Sequence, residues 1–322
     1  LVLRHRLLTG SVSSMIGHLE KAEKLFRLNI TDLEGRESET SPASRRILST
    51  SYCQLALTEF RKGNLEQAPF FTQRAIDILC GLPPSIEEGE AHRYLGVICS
   101  AQGDQISALR HHTKALTMFR TCGSLYHQGK IFNSLGQTYL QLEELDHALF
   151  FFQKSLAMYE KLTIIHETGA LYGKIGHVHM SKEDFIEAEQ YYIKDLLVSI
   201  GIEAPHNRAY LSRNVGRIFF LRKDYQKAII YYQKAISLFK SVEDNLGMAM
   251  CLLELSKAKL NFGETGQAGQ FAEQAMEIFT AKNYDYGKSE THLLLGIFNR
   301  IGKNWNEALH HFSEAEKLIE QN

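Results

Sequence analysis

The stretch from Gly129 to Lys161, GKIFNSLGQTYLQLEELDHALFFFQKSLAMYEK, decides the fold. In its first half Phe132, Leu135, Gly136 and Tyr139 recur at helical spacing, and in its second half Ala148, Phe152 and Ser155 do the same. Between them Glu144 lies four residues before Ala148, where an acidic side chain favours the start of a helix. The stretch therefore reads as helix, tight turn, helix.

Shifting it by 40 residues in either direction reproduces it. Gly136 becomes Ala56, Gly96, Gly176, Gly216, Ser256 and Gly296, and Ala148 becomes Ala68, Ala108, Ala188, Ala228, Ala268 and Ala308. A third column reads Ala75, Ala115, Ser155, Asp195, Ala235, Ala275 and Ala315. A fourth, Asn64, Asp104, Glu144, Asp184, Asp224, Glu264 and Asn304, supplies residues suited to helix starts. Gly63, Gly103, Gly263 and Gly302 sit just upstream, where a helix end can use a left-handed residue. A fixed period of this kind marks a repeat architecture.

The columns have a steric reading. Two antiparallel helices approach closely only where side chains are small, so Gly and Ala mark the crossings. The large residues between them, Phe152, Tyr192, Tyr232 and Phe312 in one column and Leu65, Leu145, Phe185, Tyr225 and Trp305 in another, are assigned to the core between stacked units. An eighth, divergent unit comes first, because Gly10, Gly17 and Ala22 reproduce the spacing of Gly96, Gly103 and Ala108. The step from Ala22 to Ala68 is six residues longer than the period, and the excess falls in TDLEGRESETSPASR. We expect an all-α solenoid forming a single domain over 1–322: a divergent repeat over 1–30, a polar surface loop over 31–45 open to modification or hinge motion, and seven regular repeats over 46–322.

Bulk properties restrict function. The chain has 322 residues, only 5 Pro and no Gly/Ser-rich linker, which suits one continuous architecture. A formal net charge of −1 gives no global field for nucleic acid or an anionic membrane, so neither is expected as a partner. Cys53, Cys80, Cys99, Cys122 and Cys251 are odd in number and scattered, and they read as small buried residues in a cytoplasmic protein. No apolar run is long enough to span a bilayer. The start at Leu1 instead of Met, and the end at Asn322 directly after a helical pattern, point to a piece of a longer protein.

The search for chemistry gives no catalytic, cofactor or metal assignment. His177 and His179 are two apart on a helix and diverge, as do the adjacent pairs His111–His112 and His310–His311. His112 falls in the aromatic core column, while His111 and His311 are expected to face outward. The segment from Gly169 to Lys174 is a phosphate-loop false positive: it is one residue short and lies inside a first helix. Gly173 within that helix suggests close packing or ligand approach.

With these columns in place, the chain resembles the tetratricopeptide repeat (TPR) pattern, in which Leu-Gly in a first helix is followed by Ala, an aromatic and Ala in a second. Tyr94, Leu95, Gly96, Ala108 and Ala115 carry it, as do Leu135, Gly136, Ala148 and Phe152. The 40-residue period is longer than the family's usual 34, and is similar to that of the Pins/LGN adaptors and of TPR arrays in bacterial multidomain signalling proteins. The resemblance implies a right-handed superhelical solenoid that binds a protein or peptide on a concave wall of first helices and is not an enzyme. It also implies an alternative, the sensory or autoinhibitory region of a larger signalling protein with an effector domain such as a kinase, cyclase, caspase-like protease or STAND ATPase.

The family's groove positions lie six and three residues before the small residue, and one and four after it. Carried onto repeats two to eight, they give Glu90, Arg93, Lys130, Asn133, Gln137, His177, Arg213, Arg217, Lys257, Glu290 and Arg300, six cations against two acids. The densest part is Arg213, Asn214, Arg217 and Lys257, with Tyr210 and Phe220 as part of an apolar floor. Arg213 and Arg217 lie on one helical face and resemble the basic part of a TPR carboxylate clamp. A partly acidic peptide or helix is the expected occupant, with Asn133 and Gln137 as further polar contacts.

Overall fold

A computed structural model of the chain describes residues 2–34 and 41–320, all helices and short turns. The described residues fall into two compact units, Leu1–Ile164 and Ile165–Asn322. The first unit contains α1 (Val2–Met15), α2 (Leu19–Leu33), α3 (Pro42–Arg61), α4 (Gln67–Leu79), α5 (Ile86–Ala101), α6 (Gln105–Thr121), α7 (Leu125–Gln141) and α8 (Leu145–Lys161). The second contains α9 (Ile165–Ser181), α10 (Phe185–Gly201), α11 (Pro205–Leu221), α12 (Tyr225–Ser241), α13 (Asn245–Phe262), α14 (Thr265–Ala281), α15 (Asp285–Ile301) and α16 (Trp305–Glu320). Within each unit every helix packs on the next, and alternate helices also touch: α1 with α3, α3 with α5 and α5 with α7 in the first, α11 with α13 and α13 with α15 in the second. This is an all-α helical-repeat solenoid.

The small-residue column works as its chemistry requires. A Cβ on Gly136 would lie 2.6 Å from the Phe152 ring, and one on Gly216 would lie 2.7 Å from the Tyr232 ring. Gly176 faces Tyr192 and Gly296 faces Phe312 in the same way, as does Gly10 with Phe26 in the divergent first unit. Where the first helix carries Ala56 or Ser256, the residue sixteen positions on is smaller, Thr72 or Ala272. The ring fills the space the glycine leaves, so the two columns are read together.

The turns repeat as well. The residue that lets each first helix end is left-handed: Gly63, Gly103 and Gly263 have φ of 87°, 86° and 97°, and Glu143, Glu183 and Lys223 have φ of 60°, 61° and 62°. Gly302 is a correction, because its φ is −74° and Lys303, at φ 61°, takes the left-handed position. In the capping column Asp104 and Asp224 accept hydrogen bonds from the backbone N–H of Ser107 and Lys227 at 3.0 and 3.2 Å. Asn64 does not cap, since α4 begins only at Gln67 and the Asn64 amide donates to Glu59 instead.

The polar loop expected over 31–45 is shorter than that. Helix α2 runs to Leu33 and α3 starts at Pro42, with Ser41 accepting from the Ser44 N–H at its start. Residues 35–40 of that loop lie outside the described residues, as do the termini 1, 321 and 322. Phe152, Tyr192 and Tyr232 are buried as expected, whereas Trp305 of the second aromatic column is 64% exposed and does not belong to a core. Of the cysteines only Cys53 and Cys251 are buried; Cys80 is exposed, and Cys99 and Cys122 are half-buried.

Candidate functional site

In the first unit, Arg93 on α5 and Lys130 on α7 converge on one carboxylate. Glu90 accepts from Arg93 Nη2 at 2.8 Å and from Lys130 Nζ at 3.0 Å, and the Arg93 guanidinium lies 4.3 Å from the centre of the Tyr94 ring. Burial would raise the Glu90 pKa, but the two cations outweigh it and hold it at about 2. Asn133 and Gln137 are half-buried along α7. The two cations of this wall are thus committed to an internal ion-pair cluster.

In the second unit, α11, α13 and α15 present consecutive first helices, and a cavity of about 340 Å³ opens on them. Phe220, Tyr232, Met250, Leu253 and Phe279 give it an apolar floor, and Arg213, Arg217, Glu254, Lys257 and Glu290 supply charge. Gly287 lets the start of α15 rest on Phe279, since a Cβ there would meet the ring at 2.6 Å. Tyr284 and Tyr286 stand at the mouth, with Tyr286 66% exposed.

The charges are unequally engaged. Arg213 donates from Nε and Nη2 to Glu254 Oε1 at 3.1 and 2.7 Å. Burial disfavours the charge on Arg213, and Glu254 more than offsets that, keeping its pKa above the ordinary value. Lys257 Nζ reaches Glu290 at 2.6 Å across α13 and α15. Arg217 is exposed and makes no hydrogen bond or ion pair among the described residues. Of the counted cations, Arg213 is neutralised by Glu254, which the counted positions omit, and Lys257 by Glu290, whereas Arg217 is not paired in this way.

Five of the expected groove residues, Arg213, Arg217, Phe220, Lys257 and Glu290, line this cavity. Tyr210 and Asn214 share helix α11 but do not line it; the Tyr210 hydroxyl donates to Asp244 at 3.2 Å and its ring stands edge-on to Phe239. His177 on α9 keeps much of its surface in solvent, and partial desolvation, with the positive charge of Arg217 second, lowers its pKa. Arg300 is exposed in the last turn of α15, outside the cavity. Arg93, Asn133 and Gln137 belong to the first unit. Sequence reading missed Glu254, although Asn214 occupies the same register one repeat earlier, and it missed Tyr284 and Tyr286 because they precede the counted helix positions.

Two histidine expectations are also corrected. His111 and His311 do not face outward; each turns onto a partner on the preceding helix, His92 and His292 respectively. Among the described residues no group of three or more His, Cys, Asp or Glu is placed to hold a metal ion, and no helix is long and apolar enough to cross a membrane.

Comparison with known proteins bears on the fold. The Tetratricopeptide repeat family model matches residues 87–161, 167–241 and 207–281, together more than half of the chain. Protein KINESIN LIGHT CHAIN-RELATED 3 of Arabidopsis thaliana is 28% identical over 145 residues, 45% of this chain and 22% of that protein. A Pyrococcus horikoshii STAND protein with a tetratricopeptide repeat sensor superimposes with a TM-score of 0.75 at 15% identity, over 97% of this chain and 49% of that one. A Rap protein complexed with Competence and Sporulation Factor superimposes with a TM-score of 0.62 at 14% identity, over 99% of both chains. The chain spans about a fifth of the plant relative and half of the archaeal one. Tetratricopeptide repeats are a typically non-catalytic fold whose stacked helices serve protein interaction, and it is to the tetratricopeptide repeat family that this chain belongs.

Proposed function

We propose that the chain is an interaction scaffold that binds a peptide or helix bearing both apolar and acidic side chains, and that it does so on the wall formed by α11, α13 and α15. The observation that carries this reading is Arg217, an exposed guanidinium with no partner among the described residues, at a cavity of about 340 Å³ that has an apolar floor and charged walls. An apolar side chain entering the cavity leaves water, while a neighbouring carboxylate gains a charge-assisted hydrogen bond from Arg217. Burying the anchor supplies affinity, and the guanidinium selects for acid.

The test is selection of binders from a random peptide display library, followed by titration against the wild type and Arg217→Glu. Enrichment of acidic peptides with aromatic or aliphatic anchors, weakened at least tenfold by the variant, supports the reading. Peptides without acids, or an affinity indifferent to the variant, contradict it. A second reading, the sensory region of a larger signalling protein, rests on fold likeness to the STAND sensor alone. An effector domain in the same full-length chain would favour it.

A further inference from the structure

One contact between the two helices of a repeat recurs at a sequence separation of nineteen. Phe132 stacks on Phe151 and Tyr172 lies against Tyr191, each pair with ring centroids 6.2 Å apart. In two repeats, 200 residues apart, both partners are histidine: His92 with His111 and His292 with His311. Their centroids are closer, 5.3 and 5.2 Å, and their Nδ1 atoms face one another at 3.1 and 2.9 Å. The repeat geometry that elsewhere stacks two inert rings here brings two ligand nitrogens together.

We propose that His292 and His311 form a chelating site for Cu2+ or Ni2+, joining α15 to α16. Imidazole is a good donor for late first-row divalent ions. A cation about 2.0–2.1 Å from each of two nitrogens 2.9 Å apart subtends an angle of about 90°. That is the cis angle of a square-planar or tetragonal ion and is narrower than the tetrahedral angle zinc adopts.

Without metal, one ring must donate its Nδ1–H to the other Nδ1. On binding, that proton is carried by Nε2 instead, both rings turn off the line that joins their centres so that the two Nδ1 lone pairs converge on the cation, and no proton is lost overall. Both rings are half-buried. Their partial exposure leaves room for water to fill the remaining positions, since no third ligand is in place among the described residues.

The charges around the pair include Glu314, Glu307, His310 and Lys288. The pair in the first unit is a built-in comparison. His92 is buried there, and Lys114 and Arg110 add positive charge, with Asp104 as the acid. Solvent and cation reach it less readily.

The test is titration of the full chain with Ni2+ by calorimetry and with Cu2+ by electron paramagnetic resonance. The variants are H311F, which copies Phe151 and Phe271 of the same column, and H292L, which copies Leu252. The wild type is expected to bind one tight equivalent with a two-nitrogen Cu2+ signature. Each variant should weaken that equivalent at least tenfold, while H111F leaves it unchanged. Circular dichroism checks each fold, and either variant alone decides the matter. Unaltered tight binding in a folded H311F or H292L protein would overturn the proposal, as would the absence of tight binding in the wild type or tighter binding of Zn2+ than of Cu2+.

Discussion

The carboxyl of Asp195 on α10 occupies the space that a side chain at position 173 of α9 would need. A Cβ on Gly173 would lie 2.5 Å from Asp195 Oδ2. The column that holds Asp195 otherwise carries Ala75, Ala115, Ser155, Ala235, Ala275 and Ala315, and the glycine faces this one larger residue. Gly173 is thus explained by packing, and no bound phosphate is needed to account for it.

A double-mutant cycle measures that relationship. Gly173→Ala alone should destabilise by about 1–3 kcal/mol through overpacking. In an Asp195→Ala background the same change should be neutral or stabilise by up to about 1 kcal/mol, because alanine favours a helix interior over glycine. Urea unfolding of the four proteins is the check, and additive effects would show that the two residues are not coupled.

Asp195 also sets a pH dependence. Burial raises its carboxyl from the ordinary 3.8 to about 6, only partly offset by hydrogen bonds from Asn207 and Ser199. The folded state therefore holds this proton more tightly than the unfolded chain does. The resulting stability is fully present below about pH 4 and is lost as pH rises through about 6, a difference on the order of 2–3 kcal/mol. His92 and His112, lowered by burial to about 4 and about 3, act in the opposite sense, losing stability as pH falls. The quantity to measure is the difference between wild type and Asp195→Asn across pH 4–7: the wild type should gain relative to the variant as pH falls, and parallel curves would contradict the assignment.

Much of the fold was legible in the sequence because its determinants are local and periodic. Gly136 and Phe152, or Gly216 and Tyr232, sit at fixed spacing, and steric fit between them requires no knowledge of the rest of the chain. The site was legible only in part. The register of Arg213, Arg217, Phe220 and Lys257 follows from helix geometry, but whether an arginine is free depends on a carboxylate some forty residues away, as with Arg213 and Glu254. The facing of His292 and His311 was missed for a related reason: a helix on its own says that His310 and His311 diverge, and only the neighbouring helix says what His311 turns toward.

The Arg213–Glu254 pair makes a prediction with the sign opposite to a simple loss of function. Glu254→Gln removes the carboxylate that neutralises Arg213 while keeping its size, and should strengthen binding of a selected acidic peptide by about threefold to tenfold, equivalent to about 0.7–1.4 kcal/mol. Fluorescence anisotropy at low and high salt would read the change, which should shrink as salt screens the charges. Weaker binding in the variant would mean that Glu254 itself contacts the peptide.

The most direct test of the account is the affinity of one selected acidic, apolar-anchored peptide for the wild type and for Arg217→Glu, measured by calorimetry on proteins of equal helicity. Arg217 is exposed and has no partner among the described residues, so its reversal should leave melting unchanged. Affinity should fall at least tenfold, about 1.4 kcal/mol or more. Equal affinity in the two proteins would contradict the placement of the acidic partner on the wall of α11, α13 and α15.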